Sequence, residues 1–329
     1  LSLLNKEDRT ALRCSRSPQM SKLLVSVGCG AKWTGHGDWD DDRKLFKDLP
    51  ASTFDDSPVV LRLQEDEFWF SISDSDLLLW LQGVNVTKKY DVVIDEIDVC
   101  PVQIQGPLSE NLMAKLAGEE LREVPYYGIM ETKIGGADVV ISQTGFTGEK
   151  GYEIYVRDAH ENAEKVWNAV LEGGEEFGLM VIAPAHHRRI AAGILSWGQD
   201  LDHETSPFQV NLSYQVPRNK TADYIGKEEL ERQRAVIDEG NFPFKMKMVG
   251  ITLGGKEITD YAPDFWLVAD PDGNDMGYVT SPWWSPELGT NIALAWVPWT
   301  SSEIGTKLMV RLPDEFSESP GVPVHGEVV

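Results

Sequence analysis

The sequence predicts an α+β fold, with antiparallel sheets, flanking helices and a separate all-β carboxyl-terminal region. Three observations carry that reading. Between residues 58 and 156, short apolar runs with strand-like character are joined by tight turns. Stretches with apolar side chains every three or four positions lie among and after them. Past about residue 244 the helical spacing vanishes, and short strands broken by Gly, Pro and Asp follow, as in a small terminal β-barrel.

Taken in order, residues 1–57 mix Gly, Trp and charge with little period, and read as a divergent or damaged part of a first domain. The chain opens on Leu1, as a fragment or a trimmed chain would. "PVVLRL" and "EFWFSIS" are strand-like, and "QEDE" between them suits a hairpin turn. "SDSDLLLWLQGV" predicts a helix capped by Ser73 or Ser75. "KYDVVIDEIDVCPVQIQGP" returns to strand until Gly106 and Pro107 stop it, and "LSENLMAKLAG" is a short helix ended by Gly118. Strands over 138–142 and 152–156 come next. Ala163, Val166, Trp167, Val170 and Leu171 then line one face of a helix whose cap candidate is Asp158. Another helix is expected to begin near Pro184, and "YIGKEELERQRAVIDEG" makes a third. The chain therefore divides into residues 1–57, a section over 58–243 and a barrel section over 244–329.

Composition narrows the function. Among 329 residues, 53 acidic side chains oppose 30 basic ones, a formal net charge of -23. Such a surface repels phosphate backbones and anionic lipid, so neither nucleic acid nor a membrane surface is an expected partner. The most apolar run, "SDLLLWLQGV", is well short of the ~20 residues that span a bilayer. Cys14, Cys29 and Cys100 are odd in number and scattered, which favours a reducing cytoplasm over a disulfide framework or a thiolate metal cluster. His186 and His187 are adjacent and would point roughly 100° apart on a helix, so they do not make a metal pair.

The stretch "GFTGEKGYEIYV" (145–156) holds the most chemistry. Its glycines fail the P-loop spacing, and a strand rather than a helix follows, so it is no phosphate cradle. Alternation puts Tyr152, Ile154 and Val156 on one, inward-packing face, and Glu153 with Tyr155 on the other. Taken alone, these twelve residues favour a solvated face for Glu153. The sharper reading is a fixed carboxylate that accepts paired N–H donors, such as the edge of a pterin.

Longer segments decide between the two. "SQTGFTGEKGYEIYV" resembles the S-R-T-G-Y-T-G-E-x-G-[FY]-E-I signature of the glycine-cleavage T-protein (aminomethyltransferase) family. "AHHRRIAAGILSWGQDLDHETSPFQVNL" (185–212) is similar to its R-L-E-A-G-x-x-x-Y-G-x-D…T-P-x-E-x-G-L segment. "DYIGKEEL" and "GYVTSPWWSPELGTNIALAWVP" resemble two further stretches in the same order. Within the family, "FWFSISDSDLLLWLQGV" and "DVCPVQIQGPLSENLM" look most like the dimethylsulfoniopropionate demethylase branch and its O-demethylase relatives. Gln143, Trp197 and Gln209 stand where the family usually has Arg, Tyr and Glu.

The resemblance implies three domains in a clover arrangement around a folate pocket, closed by the barrel, and tetrahydrofolate as cofactor. It implies transfer of a methyl group from a small sulfonium, methoxy or methylamine donor. Alternatives are an aminomethyltransferase acting on a lipoyl carrier protein, a subdomain serving an oxidative demethylase, and a non-catalytic folate-binding relative. By the same resemblance Glu153 contacts the pterin, with Tyr152 and Phe146 of the same motif as further cofactor contacts. Asp55 or Asp56 is the catalytic candidate near the reacting folate nitrogen. Arg189 takes the place of a helix arginine that would pair with a ligand carboxylate, an internal salt bridge being the open alternative. Trp197 and Trp284, with Trp283, would form an aromatic wall for a cationic donor, or else belong to the core.

Overall fold

The computed structural model describes residues 11–15, 32–34, 59–72, 77–182, 185–216, 218, 220–221, 224–260 and 264–329. Ser73, Ser75 and Pro184, the expected cap and first-turn residues, lie outside them. The chain forms two compact units.

The first unit carries two sheets. One is five-stranded: β1 (Ala11–Ser15), β2 (Lys32–Thr34), β3 (Val59–Arg62), β4 (Glu67–Ser71) and β5 (Val93–Ile97), in the order β2-β3-β4-β1-β5. Strands β2 and β3 run parallel and the other neighbours antiparallel. The expected "QEDE" hairpin joins β3 to β4, closed by the Leu63 N–H donating to the Glu67 carbonyl at 2.9 Å. Helix α1 (Leu77–Lys88) follows β4. The other sheet is antiparallel: β6 (Val99–Gln105), β7 (Ile129–Ile134), β8 (Ala137–Ser142) and β9 (Gly151–Arg157), in the order β6-β9-β8-β7. Its β7–β8 turn has two residues, Gly135 and Gly136, at φ 58° and 82°. Positive φ at both centres is what a tight, twist-matched hairpin demands, and glycine supplies it without strain.

This second sheet is covered on both faces. Ile104, Ile141, Tyr152, Ile154 and Val156 pack against Leu112 and Met113 of α2 (Ser109–Ala117) and Val166 and Val170 of α3 (Ala159–Gly174). The opposite face, with Val99, Val140 and Tyr155, packs on Leu61 and Trp69 of the five-stranded sheet. Asp158 does occupy the N-cap position of α3, but its side chain makes no cap bond. Asp98, at the β5–β6 corner, instead accepts from the His160 N–H at 3.2 Å, so the free helix amide is served from another element.

The second unit is built on a closed six-stranded barrel: β10 (Met246–Leu253), β11 (Trp266–Ala269), β12 (Asp275–Ser285), β13 (Thr290–Pro298), β14 (Lys307–Val310) and β15 (Val324–Val328), in the order β10-β13-β12-β11-β14-β15. Closure leaves no free edge. Val249, Ile251, Val268, Val279, Ala293, Ala295 and Val310 fill its interior. Leu294, Ile292 and Trp296 point the other way, to a second cluster with Ile190 of α4 (His186–Ala191), Leu201 and Val210. Segment 185–212, placed by its sequence with the 58–243 section, thus packs on the barrel. Helix α5 (Lys227–Asp238) belongs to this unit as well. Among the described residues, no helix is long and apolar enough to cross a membrane.

Candidate functional site

Glu153 sits in the middle of β9, between Gln103 of β6 and Ser142 of β8 in the ladder. Its face is covered, so Glu153 is only 6% exposed. Three neutral donors hold it. Gln103 Nε2 donates to Oε1 at 2.7 Å, Tyr155 Oη donates to Oε2 at 3.1 Å, and the Thr144 hydroxyl donates to Oε2 as well. Among the described residues, no Lys, Arg or His forms an ion pair with it. A buried carboxylate without a cation depends wholly on its hydrogen bonds. A carboxylate offers about four lone-pair sites, two on each oxygen. Oε2 is therefore filled by Tyr155 and Thr144, while Oε1 retains one acceptor position.

The glycine-rich turn has its explanation in Gln105, two residues along β6 from Gln103. Gln105 Nε2 donates to the Thr144 carbonyl at 3.2 Å, and its Oε1 accepts from the Thr147 hydroxyl at 2.8 Å. A Cβ on Gly145 would lie 2.2 Å from Gln105 Oε1, and one on Gly151 would lie 2.4 Å from its amide atoms. The turn is folded around a glutamine side chain, and a Cβ at either flank would displace its amide and the hydrogen bonds that the amide makes. Because Thr144 opens this turn and also touches Glu153, Gln105 fixes the turn and Gln103 the carboxylate from one strand face.

A second polar cluster lies in the barrel unit. Arg189 of α4 and Asp200 are each 1% exposed and pair at 2.7 Å. Asp200 also accepts from the Ser196 N–H at 2.8 Å, the Thr280 hydroxyl at 2.6 Å and the Ser281 hydroxyl at 2.5 Å. Arg189 Nη2 donates to Ser281 Oγ at 2.8 Å and Nη1 to the Ile194 carbonyl at 3.3 Å. Consecutive residues of a regular strand face opposite ways. A β-bulge between Val279 and Ser281 makes Thr280 surplus, so both hydroxyls reach one carboxylate. His186 stacks on Trp283 with ring centroids 5.1 Å apart, and accepts from Arg189 Nε at 3.4 Å. Burial, and then the Arg189 charge, hold its imidazole below the usual histidine range.

Comparison with known proteins covers most of the chain. Residues 50–220 match the GCVT N-terminal domain, and residues 247–319 match the glycine cleavage T-protein C-terminal barrel domain. The chain belongs to the glycine-cleavage T-protein family. Among its relatives, the dimethylsulfoniopropionate demethylase DmdA of Ruegeria pomeroyi is 32% identical over 257 residues, covering 78% of this chain and 67% of that protein. An aminomethyltransferase of Geobacillus sp. is 31% identical, with 70% and 64% covered. The chain thus spans about two thirds of the length of these relatives. The crystal structure of glycine cleavage system aminomethyltransferase T from Bartonella henselae superposes with a TM-score of 0.73 at 19% identity, covering 97% of this chain and 82% of that one. At that identity it speaks for the fold.

Against the T-protein pattern, the expected site residues scatter. Tyr152 is not on the carboxylate's face: it is fully buried among the helices, where its hydroxyl accepts from Gln143 Nε2 at 3.2 Å. Phe146 is half-buried within the Gly-rich turn. Arg189 gives its guanidinium to Asp200, the internal pair that the sequence left open, and has no exposed surface to offer a ligand. Trp197 packs on the outer barrel cluster, with its ring edge-on to His203 at 4.9 Å. Trp283 joins that same cluster, whereas Trp284 alternates to the opposite side of β12, opposite Asn291. The three tryptophans therefore do not form one wall. Asp55 and Asp56 lie outside the described residues. Gln103, Thr144 and Tyr155, the donors to Glu153, carried no signal of that role in the sequence. The "VQIQ" alternation alone hinted that Gln103 and Gln105 share a face.

Proposed function

We propose that this chain is a tetrahydrofolate-dependent one-carbon transferase, taking a methyl group from a small sulfonium donor. The observation that carries it is Glu153: a buried carboxylate, held by neutral donors alone, with one acceptor position open on Oε1. One open position suits a single N–H of a pterin edge, for which a carboxylate is a strong, charge-assisted acceptor. When bound, tetrahydrofolate supplies a nucleophilic nitrogen. Glu153 fixes the heterocycle's orientation, Gln103 fixes Glu153, and Gln105 fixes the adjoining turn. Phe146 of that turn is proposed as an apolar contact, and Asp55 or Asp56 as the group that orients the reacting nitrogen.

Methyl transfer is an in-line displacement, so alignment and exclusion of water carry most of the catalytic burden. In the sulfonium case the carbon–sulfur bond breaks with its electron pair left on sulfur, and the sulfide departs neutral. No enzymic acid is then required for the leaving group. An amine or aryl ether donor would need one.

The demethylase relative is only marginally more similar than the aminomethyltransferases, which favours keeping one second reading: aminomethyl transfer from a lipoyl carrier protein. Turnover of tetrahydrofolate with sulfonium, methoxy-aromatic and methylamine donors, against an aminomethylated lipoyl carrier, separates them. Binding without turnover across that panel would leave a non-catalytic relative. For the site itself, Glu153→Gln should weaken tetrahydrofolate binding roughly tenfold or more in a calorimetric titration while the melting temperature holds, because a charge-assisted acceptor is lost. Unchanged affinity removes Glu153 from the site.

A further inference from the structure

Gln103 holds Glu153, but that bond uses only part of what its amide offers. A carboxylate can only accept, so Gln103 must turn its nitrogen toward Glu153 Oε1, at 2.7 Å. That nitrogen carries two protons. Glu153 takes one, and among the described residues no acceptor takes the other. The two side chains stand opposite each other in the β6–β9 register, and Oε1 still has one acceptor position. The pair is shielded without being sealed: Gln103 is half-buried and Glu153 retains 6% exposure. One open acceptor and one open donor thus lie side by side, spaced much like the N–H and C=O on one edge of a cyclic amide.

We propose that Gln103 is itself a ligand-binding residue, and that it and Glu153 together read a lactam edge. The ring N–H donates to Glu153 Oε1, and the neighbouring ring carbonyl accepts the second proton of Gln103 Nε2. The ligand class is a planar heterocycle with N–H and C=O on adjacent ring atoms, an edge that a reduced oxo-pterin carries. The contact rests on the reading of Glu153 as a pterin ligand and narrows it. A carboxylate oxygen alone takes any N–H. A ring that turned two adjacent N–H groups to this pair would set one of them against the Gln103 proton, leaving both donors unpaired. The carbonyl side of the pterin, not its exocyclic amine, therefore lies against Gln103. Oε2 has no part in the contact, since Tyr155 and Thr144 keep it occupied, so the carboxylate need not rearrange.

The test uses the full chain and tetrahydrofolate isotope-labelled at the ring carbonyl carbon, under anaerobic conditions. Infrared difference spectra isolate that C=O stretch in the bound ligand, and a donated hydrogen bond lowers it. Gln103→Met keeps the side-chain length without an N–H, and Gln103→Leu is a second donorless variant of different shape. Both should raise the bound stretch above its wild-type position. In calorimetric titrations both should weaken binding by about two- to tenfold, the worth of one neutral hydrogen bond. Gln103→Lys retains protons for both acceptors and should not raise the stretch. Weaker binding with an unmoved carbonyl would mean that Gln103 only positions Glu153, and unchanged binding that it does neither; in each case the proposal falls. Glu153→Gln, titrated alongside, keeps the two readings apart. If that variant binds tetrahydrofolate normally, Glu153 is no pterin ligand. If it binds weakly while the Gln103 variants leave the carbonyl unmoved, Glu153 stands and only the lactam contact is lost.

Discussion

Asp200→Ala would strip four buried donors of their shared acceptor: Arg189 Nη1, the Ser196 N–H and the hydroxyls of Thr280 and Ser281. The neutral groups can find some relief among themselves. Arg189 cannot, since it is 1% exposed and its charge has no route to water. Removing one partner of a buried ion pair costs about 3–5 kcal/mol. With about 3–4 °C lost per kcal/mol for a unit of this size, the barrel transition should fall by roughly 15 °C. Scanning calorimetry is the suitable assay, because a chain of two compact units need not melt in one step and a single midpoint would hide which transition moved. The companion measurement concerns sign. Arg189→Met combined with Asp200→Ala should be more stable than Asp200→Ala alone, because the orphaned cation is gone. If Asp200→Ala melts within about 3 °C of wild type, or the double variant loses the sum of both single losses, then this pair does not hold α4 to the barrel and the reasoning is refuted.

Two other perturbations follow from the geometry. Gly145→Ala places a methyl group where Gln105 Oε1 sits, so it should destabilise the first unit by about 1–3 kcal/mol, and Gln105→Ala in the same chain should recover much of the loss, both read from the melting temperature. For His186, whose affinity for a proton is lowered chiefly by burial and then by Arg189, the unfolded chain protonates first as pH falls. Stability contributed by neutral His186 is thus present above the ordinary histidine range near ~6.5 and is lost below it. His186→Gln should flatten the fall in melting temperature between about pH 7 and about pH 5 relative to wild type; identical slopes would contradict this.

Much of the fold was legible because local pattern and tertiary structure agree. The barrel announced itself by short strands without helical spacing, and β3–β4 by a four-residue polar break. Partners distant in sequence were not legible. Nothing in "GFTG" says that a glutamine forty residues earlier fills the turn, since glycine reports only that a side chain is missing, not what takes its place. Glu153 was found through a resemblance, yet its ligands depend on the β6–β9 register, which a single strand does not reveal. Tyr152 was named with Glu153 through the same resemblance, and a period of two puts it on the face opposite Glu153, where the structure buries it among the helices. Arg189 shows the reverse case: its partner is eleven residues away, but recognising that Thr280 and Ser281 join them requires a bulge that no spacing rule anticipates.

That one surplus residue in β12 has a consequence beyond the carboxylate it serves. It resets the alternation for everything after it, so that Trp283 meets His186 and Trp284 lies on the opposite face of the strand. Were Thr280 absorbed into an unbroken ladder, the two indoles would trade places. Which aromatic ring caps the helix is therefore decided three residues upstream, by a miscounting of strand against strand.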